Sequence, residues 1–114
     1  MEREFVLMPI FDSQWEAMGL DDDDLKELQR IISENPHIGA VIRGTAGLRK
    51  MRIKLDNTGK SGGARVLYVD LPSKEKTYLI YSYPKNELDN ITPEQRKMFK
   101  KAIIQIKKNE GENA

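Results

Sequence analysis

The sequence predicts an α+β fold, a small antiparallel sheet combined with an N-terminal helical hairpin and a C-terminal helix. Two patterns favour this class. Apolar residues recur every three or four positions in the N-terminal third and near the C-terminus, whereas the middle of the chain alternates every second residue. With 114 residues, the chain has the length of one domain, and we expect residues 1–114 to form a single one.

The first two elements are a strand and a short helix. The apolar segment Glu4–Ile10 predicts the strand. Ser13 and Glu16 have the spacing of a capping box and Gly19 is a suitable C-terminal stop, so the helix is expected over Asp12–Met18.

A second helix follows. The aspartates 21–24 favour a helix N-terminus through the helix dipole, and the next apolar residues, Leu28 and Ile32 among them, recur on one face. Asn35 and Pro36 end the helix. Two consecutive helices predict the helical hairpin.

The middle of the chain predicts a three-stranded antiparallel meander. Its strands are LRKMRIKL, ARVLYVDL and TYLIYSY, and the turn DNTGKSGG joins the first two. In the first strand one face is mostly apolar and the other mostly cationic. The second contains the continuous apolar run Val66–Val69, which predicts a central strand covered on both faces.

The C-terminal helix has the clearest start signal. Thr92, Pro93 and Gln95 fit the N-cap, N1 and N3 positions. The predicted buried stripe consists of Met98, Phe99, Ala102, Ile103 and Ile106.

Composition excludes several classes of site. The chain has no cysteine and one histidine, His37, which weighs against metal sites and histidine acid–base chemistry, and we expect neither a metal nor a cofactor. His37 is expected at the surface and Trp15 in the core. No segment approaches the length of a membrane span, so no membrane contact and a cytoplasmic location are expected.

Charge is strongly segregated along the chain although the net charge is only +1. Residues 12–34 contain eight acidic and two basic residues, residues 43–65 contain seven basic residues and one acidic, and residues 96–108 contain six basic residues and no acidic one. This pattern indicates one basic face for a polyanion.

The basic residues of the predicted sheet could bind RNA or act on it. They are Lys50, Arg52, Lys54, Arg65 and Lys85. Such cations hold a phosphate backbone and stabilise extra negative charge in a transition state. A lysine crowded by cations is also expected to have a lowered pKa and to serve as a general base for a ribose 2′-hydroxyl. The residues alone favour plain nucleic-acid binding over catalysis.

The segments GTAGLRKMRIKL, GKSGGARVLY and YSYPKNELDNIT together resemble HigB/RelE-type toxins of bacterial type II toxin–antitoxin modules, in the RelE/ParE superfamily. The resemblance implies a RelE-like fold and a ribosome-dependent endoribonuclease, or mRNA interferase, that cuts mRNA without a metal through the RNA 2′-hydroxyl. It also implies a cognate antitoxin of helix-turn-helix type.

The resemblance also implies roles for individual residues. The catalytic set is Arg52, Lys54, Arg65 and Lys85, with Lys54 or Arg52 in proton transfer, Arg65 on the scissile phosphate and Lys85 at the phosphate or the leaving oxygen. Arg49, Lys50 and Lys60 are expected to hold ribosomal or messenger RNA. RelE has an arginine directly after the lysine and a tyrosine soon after it, whereas this chain has Asn86 and no tyrosine after Tyr83. The acid–base assignment therefore stays open.

Two other functions compete with this one. ParE-like toxins share the fold and inhibit DNA gyrase by protein contact, and fold alone does not separate the two groups. A basic RNA- or ribosome-binding module without catalysis is the third possibility. The alternating cations of the first meander strand favour the nuclease.

Overall fold

A computed structural model of the chain describes residues 3–54, 63–85 and 91–112. Within these ranges, five strands form one sheet and three α-helices pack against it. The strands are β1 (Glu4–Leu7), β2 (Ala40–Val41), β3 (Arg49–Ile53), β4 (Ala64–Leu71) and β5 (Lys76–Pro84). The helices are α1 (Pro9–Ala17), α2 (Asp22–Glu34) and α3 (Pro93–Asn109). The predicted α+β class is confirmed.

The sheet has the strand order β1-β5-β4-β3-β2. Strands β3, β4 and β5 pair antiparallel, which confirms the predicted meander. The sequence pattern did not predict which strands pair at the two edges of the sheet. There, β1 pairs parallel with β5, and the two-residue β2 pairs antiparallel with β3.

Strand β4 lies between two hydrophobic cores. Val66 and Tyr68 belong to the core that contains α1 and α2, whereas Leu67 and Val69 belong to the core that contains α3. Successive side chains of a strand point to opposite faces, so the continuous apolar run fills both cores. All four side chains are at most 1% exposed. The predicted burial of this strand on both faces is confirmed.

The first helix begins earlier than the sequence pattern indicates. It starts at Pro9, without a side-chain cap hydrogen bond, and β1 already ends at Leu7. The predicted start at Asp12 with a capping box of Ser13 and Glu16 is therefore wrong. The proline explains the difference, because its ring fixes φ near the helical value and the first turn does not need its missing N–H.

Both longer helices begin at capping boxes. The backbone N–H of Asp24 donates to the Asp21 carboxylate at 2.9 Å, and the Asp21 N–H donates to the Asp24 carboxylate at 3.0 Å. The bond from the Asp24 N–H is the main cause of a lowered pKa of the Asp21 carboxyl. Thr92 and Gln95 form the same reciprocal pair at the start of α3, as predicted. The predicted end of α2 at Asn35 is also confirmed.

The buried side of α3 is narrower than predicted, since Ala102 is only half-buried and Met98 is exposed. Ile103 and Ile106 are buried in the core, and Phe99 packs against them. Met98, however, is 68% exposed, so its predicted burial is wrong. Consecutive helical residues lie about 100° apart, and the side that faces the sheet is set by Phe99 and the two isoleucines rather than by Met98.

Glu110 anchors the C-terminal end of α3 to β5. Its two carboxylate oxygens lie 3.0 and 3.1 Å from Lys76 Nζ, and the Tyr78 hydroxyl donates to the same carboxylate. The bonds from Tyr78 and Lys76 lower the pKa of the Glu110 carboxyl. The Glu110 carboxylate in turn raises the pKa of the Lys76 ammonium and raises the pKa of the Tyr78 hydroxyl to about 12.

Three further expectations concern single residues or helices. Trp15 is 2% exposed and lies in the core, as predicted. His37 lies at the surface, as predicted, with 63% of its side chain exposed. None of the helices in the described ranges has the length and apolar character that a membrane crossing needs.

Candidate active site

Arg52 and Arg65 lie directly opposite each other on β3 and β4, and Tyr83 is opposite Arg65 on β5. Residues in such a row project from the same face of a sheet. Leu67 and Tyr83 belong to the core that contains α3, so this is the α3 face. Arg52 is exposed, whereas Arg65 is only 9% exposed and Tyr83 only 4%. The row therefore combines an accessible cation with a recessed one.

Gly63 allows β4 to begin close to the end of β3. Its φ is +68°, and a Cβ atom at this position would lie 1.9 Å from the Ile53 carbonyl oxygen and 3.1 Å from Lys54 Cα. Only glycine tolerates both the backbone angle and the contact. The glycine thus keeps Lys54 next to the strand that carries Arg65.

The other predicted catalytic residues lie at the same end of the sheet. Lys54 directly follows β3 and Lys85 directly follows β5, and both are exposed. In antiparallel strands, the ends of β3 and β5 meet the start of β4 at one edge. The structure therefore brings together all four residues predicted to be catalytic: Arg52, Lys54, Arg65 and Lys85.

The three predicted RNA-binding residues are placed differently from one another. Lys50 lies two positions before Arg52 in β3, on the same face, and is half-buried. Arg49 lies on the opposite face. Lys60 belongs to the connection between β3 and β4 and lies outside the described residues.

Arg49 contacts backbone oxygens of the loop that precedes β2. Its Nη1 donates to the carbonyl oxygen of Gly39 at 2.7 Å and to that of His37 at 3.4 Å. Tyr68, its partner in register on β4, donates through its hydroxyl to the Pro36 carbonyl and accepts from the Gly39 N–H, both at 2.9 Å. Burial raises the pKa of this hydroxyl. The Arg49 and Tyr68 side chains together hold this loop on the face of the sheet that packs against α1 and α2.

Tyr83, for which the sequence predicts no role, lies beside Arg65 in the structure. Its ring centroid is 6.0 Å from that of Tyr81, and the Tyr81 ring lies 5.5 Å from Phe99 of α3 in an edge arrangement. An aromatic row therefore connects the helix to the site. The two tyrosines lie two residues apart in a strand, and this alternation was the only sequence signal for the row.

The arrangement is suited to a phosphate group. Like charges directly opposite each other in a sheet repel, and an anion between them relieves the repulsion. A phosphate suits this position, because a guanidinium donates two parallel hydrogen bonds to phosphate oxygens. Among the described residues, no group of three histidine, aspartate or glutamate side chains is placed to hold a metal ion.

Comparisons with known proteins agree with this architecture. The structure is similar to the isolated E. coli RelE toxin, with a TM-score of 0.52 and 19% identity over 92% of this chain and 99% of that chain. A chain of the intact E. coli RelBE toxin–antitoxin complex matches with a TM-score of 0.55 and 18% identity over 75% of this chain and 100% of that chain. A mutant E. coli RelE in the free state matches with a TM-score of 0.54 and 20% identity over 75% of this chain and 86% of that chain.

These structural likenesses show a shared fold. The sequence of residues 10–113 matches the family described as the RelE toxin of the RelE/RelB toxin–antitoxin system. The match spans almost the whole chain and includes α2, α3, all of α1 except Pro9, and the row of Arg52, Arg65 and Tyr83. The chain therefore belongs to the RelE toxin family of toxin–antitoxin systems.

Proposed function

We propose that this toxin is a ribosome-dependent mRNA endoribonuclease that inhibits translation by cutting the message without a metal ion. The observation that carries the proposal is the direct opposition of Arg52 and Arg65, with Lys54 and Lys85 at the adjoining strand ends. Membership of the RelE toxin family supports it.

Arg65 binds the scissile phosphate. Its burial to 9% exposure places the guanidinium in surroundings of low dielectric, where its attraction for a phosphate is stronger than in water. Arg52 approaches the same group from the exposed side of the row. As the phosphorus gains a fifth oxygen ligand, the developing negative charge lies between two fixed cations, so the transition state is bound more tightly than the substrate.

Proton transfer involves the two lysines. The ribose 2′-oxygen attacks phosphorus while the bond to the 5′-oxygen breaks, which gives a 2′,3′-cyclic phosphate and a free 5′-hydroxyl. Lys54 accepts the 2′-hydroxyl proton, and Lys85 donates a proton to the leaving 5′-oxygen.

The remaining predicted contacts hold the RNA. Lys50 extends the cationic face along β3, and Lys60 contributes from the connection that follows this strand. Arg49 contributes through the loop whose Gly39 carbonyl it binds, since this loop leads into β2, the neighbour of β3.

A cognate antitoxin of helix-turn-helix type neutralises the toxin. The antitoxin either covers the cationic face with carboxylates or blocks entry to the ribosome by its bulk. In the first case the affinity of the complex falls as salt rises, because salt screens exposed charge pairs. An affinity that is the same at low and high salt favours the second case.

The test is cleavage of mRNA on a programmed translating ribosome, mapped by primer extension. Wild-type protein is compared with Arg65→Ala and with Arg30→Ala, in which an arginine of α2 that pairs with Glu27 and Glu34 is removed. We expect ribosome-dependent cuts in the decoding site with the wild type and with Arg30→Ala, and none with Arg65→Ala or on naked mRNA.

Thermal melting of all three proteins shows whether they are folded. An intact message in the presence of folded wild-type protein contradicts the nuclease proposal, and a gyrase supercoiling assay then tests the ParE-like alternative. Full cleavage by folded Arg65→Ala contradicts the role given to this arginine.

A further inference from the structure

The outer side of α3 carries four exposed lysines, Lys97, Lys100, Lys101 and Lys108. We name this set the lysine face. At about 100° per residue the four fall within an arc of about 100° that also contains the half-buried Ile104, and the buried Ile106 lies opposite the centre of this arc. Neither an ion pair nor a hydrogen bond joins any of them to a carboxylate in residues 3–54, 63–85 and 91–112. Lys107 differs, because its Nζ donates to the Ala46 carbonyl at 2.8 Å.

Neighbouring lysines within the lysine face repel each other. Lys97 repels Lys101 one turn away, and Lys97 and Lys100 are also neighbours on the helix surface. The exposed side of α2 shows the opposite arrangement, since Arg30 lies 2.6 Å from Glu27 and 2.8 Å from Glu34. An external anion would remove the repulsion on α3.

The composition of this face favours a nucleic acid over a protein as the anion. Protein interfaces have apolar and aromatic centres and are depleted in lysine, whereas the arc of the lysine face contains four exposed lysines and one apolar residue, the half-buried Ile104. Met98, the large exposed apolar residue of α3, lies at the edge of this face, about 60° around the helix from Lys101. Rows of lysine bind polyanions by neutralising phosphates and releasing counterions.

The lysine face is separate from the candidate active site. The inner side of α3 packs through Phe99 on Tyr81, next to Tyr83 and the row of Arg65. The outer side points away from the sheet, about one helix diameter of 10 Å farther out. A single strand bound at Arg65 would have to wrap around the helix to reach it, so the lysine face contacts another stretch of RNA.

We propose that the lysine face of α3 binds phosphates of ribosomal RNA and is a second RNA contact, distinct from the site of cleavage. The inference rests on the proposed function, which brings the toxin to the ribosome. In this arrangement the lysine face contributes to affinity for the ribosome and not to the chemical step.

The test uses two double variants with the same change of charge. Lys97→Gln with Lys101→Gln removes half of the lysine face, and glutamine keeps the helix propensity of lysine. Lys26→Gln with Lys74→Gln removes two exposed lysines elsewhere. The probe is purified ribosomes without mRNA, and affinity is measured over a range of salt concentrations.

The lysine-face variant is expected to bind ribosomes more weakly than the wild type, and the slope of log K against log salt should fall by about 1 for each lysine removed. The control variant should bind like the wild type. In cleavage assays the lysine-face variant should show a raised KM and an unchanged kcat.

The outcomes separate this inference from the proposed function. Wild-type affinity and salt slope in the lysine-face variant overturn the second contact, even if the message is still cut. A loss of ribosome affinity in this variant supports the contact, even if no protein cuts the message. A loss of affinity for the purified antitoxin with unchanged ribosome affinity overturns it in favour of a protein partner.

Discussion

Arg52 and Arg65 are register partners on neighbouring antiparallel strands, and both project from the sheet face that carries α3. One is exposed and the other is 9% exposed. Two cations at directly opposite positions repel each other across a sheet, and an anion bound between them relieves this repulsion. This relationship predicts separate effects of substitution on stability and on activity.

Replacement of Arg65 by lysine is expected to lower the rate of mRNA cleavage by about 10² to 10³-fold, the usual loss when a donor to a developing oxyanion is removed. Lysine keeps the charge but loses the paired donors of the guanidinium. Single-turnover cleavage on programmed ribosomes measures the effect, with melting temperature as the fold control. A cleavage rate equal to that of the wild type would mean that the positive charge of Arg65, and not its paired hydrogen-bond donors, stabilises the transition state.

The Arg52→Gln variant is expected to be more stable than the wild type, by about 0.5 kcal/mol, because it removes a like-charge cross-strand pair. The same change should weaken cleavage. Urea unfolding at low salt measures the stability, and Lys26→Gln is the control for loss of an exposed charge elsewhere. Lower stability in Arg52→Gln would show that this arginine stabilises the sheet.

Much of this site follows from local sequence. Alternation in β3 places Lys50, Arg52 and Lys54 on one face, and the glycines before Arg65 mark the start of the next strand. These two patterns can be predicted because they depend only on residues that are close together in the sequence. The recessed position of Arg65 and its contact row with Tyr83 could not be predicted, because they depend on the register between β4 and β5 and on packing of α3.

The start of α1 and the role of Arg49 also depend on features that the local sequence pattern does not show. The start of α1 was misplaced because Ser13 and Glu16 have capping spacing, whereas Pro9 determines the first turn. The role of Arg49 at the loop before β2 could not be predicted, because β2 has only two residues. In addition, Tyr68, which binds the Gly39 N–H of this loop, lies 29 positions farther along the sequence.

Tyr68→Phe is expected to lower the free energy of unfolding by about 1–3 kcal/mol. The hydroxyl donates to the Pro36 carbonyl and accepts from the Gly39 N–H, and its loss leaves the buried Gly39 N–H without this partner. Tyr81→Phe is the control, because the ring contacts of Tyr81 stay in place. Urea unfolding compares the two. Equal stability of both variants would show that the loop is held by Arg49 alone.

Gly63→Ala is expected to lower both stability and cleavage. The added Cβ would lie 1.9 Å from the Ile53 carbonyl oxygen, and φ of +68° is strained for alanine. The two strands must separate at the point where Lys54 passes Gly63, two residues before Arg65. Gly111→Ala is the matched control, since φ there is +80° but the nearest atom to its Cβ is a lysine Nζ at 3.9 Å. A greater loss of cleavage in Gly111→Ala would contradict the role of Gly63.

The anchor of α3 predicts how stability depends on pH. The pKa of the Glu110 carboxyl is lowered in the folded protein from 4.5, so its contribution is present above pH 4.5 and is lost as the pH falls through the folded value. The pKa values of Lys76 and Tyr78 are raised from 10.5 and 10.0, that of Tyr78 to about 12. Their contribution is present below pH 10 and is lost as the pH rises through these folded values.

Glu110→Gln should therefore melt at a lower temperature than the wild type at pH 7, and the difference should shrink below pH 4 and above pH 11. The reason is that glutamine carries no charge for Lys76 and is a weaker acceptor for the Tyr78 hydroxyl. Melting temperatures from pH 3 to 12 measure this, with Glu16→Gln on the exposed side of α1 as the control. A constant difference between Glu110→Gln and the wild type at all pH values would show that the carboxylate acts only through packing.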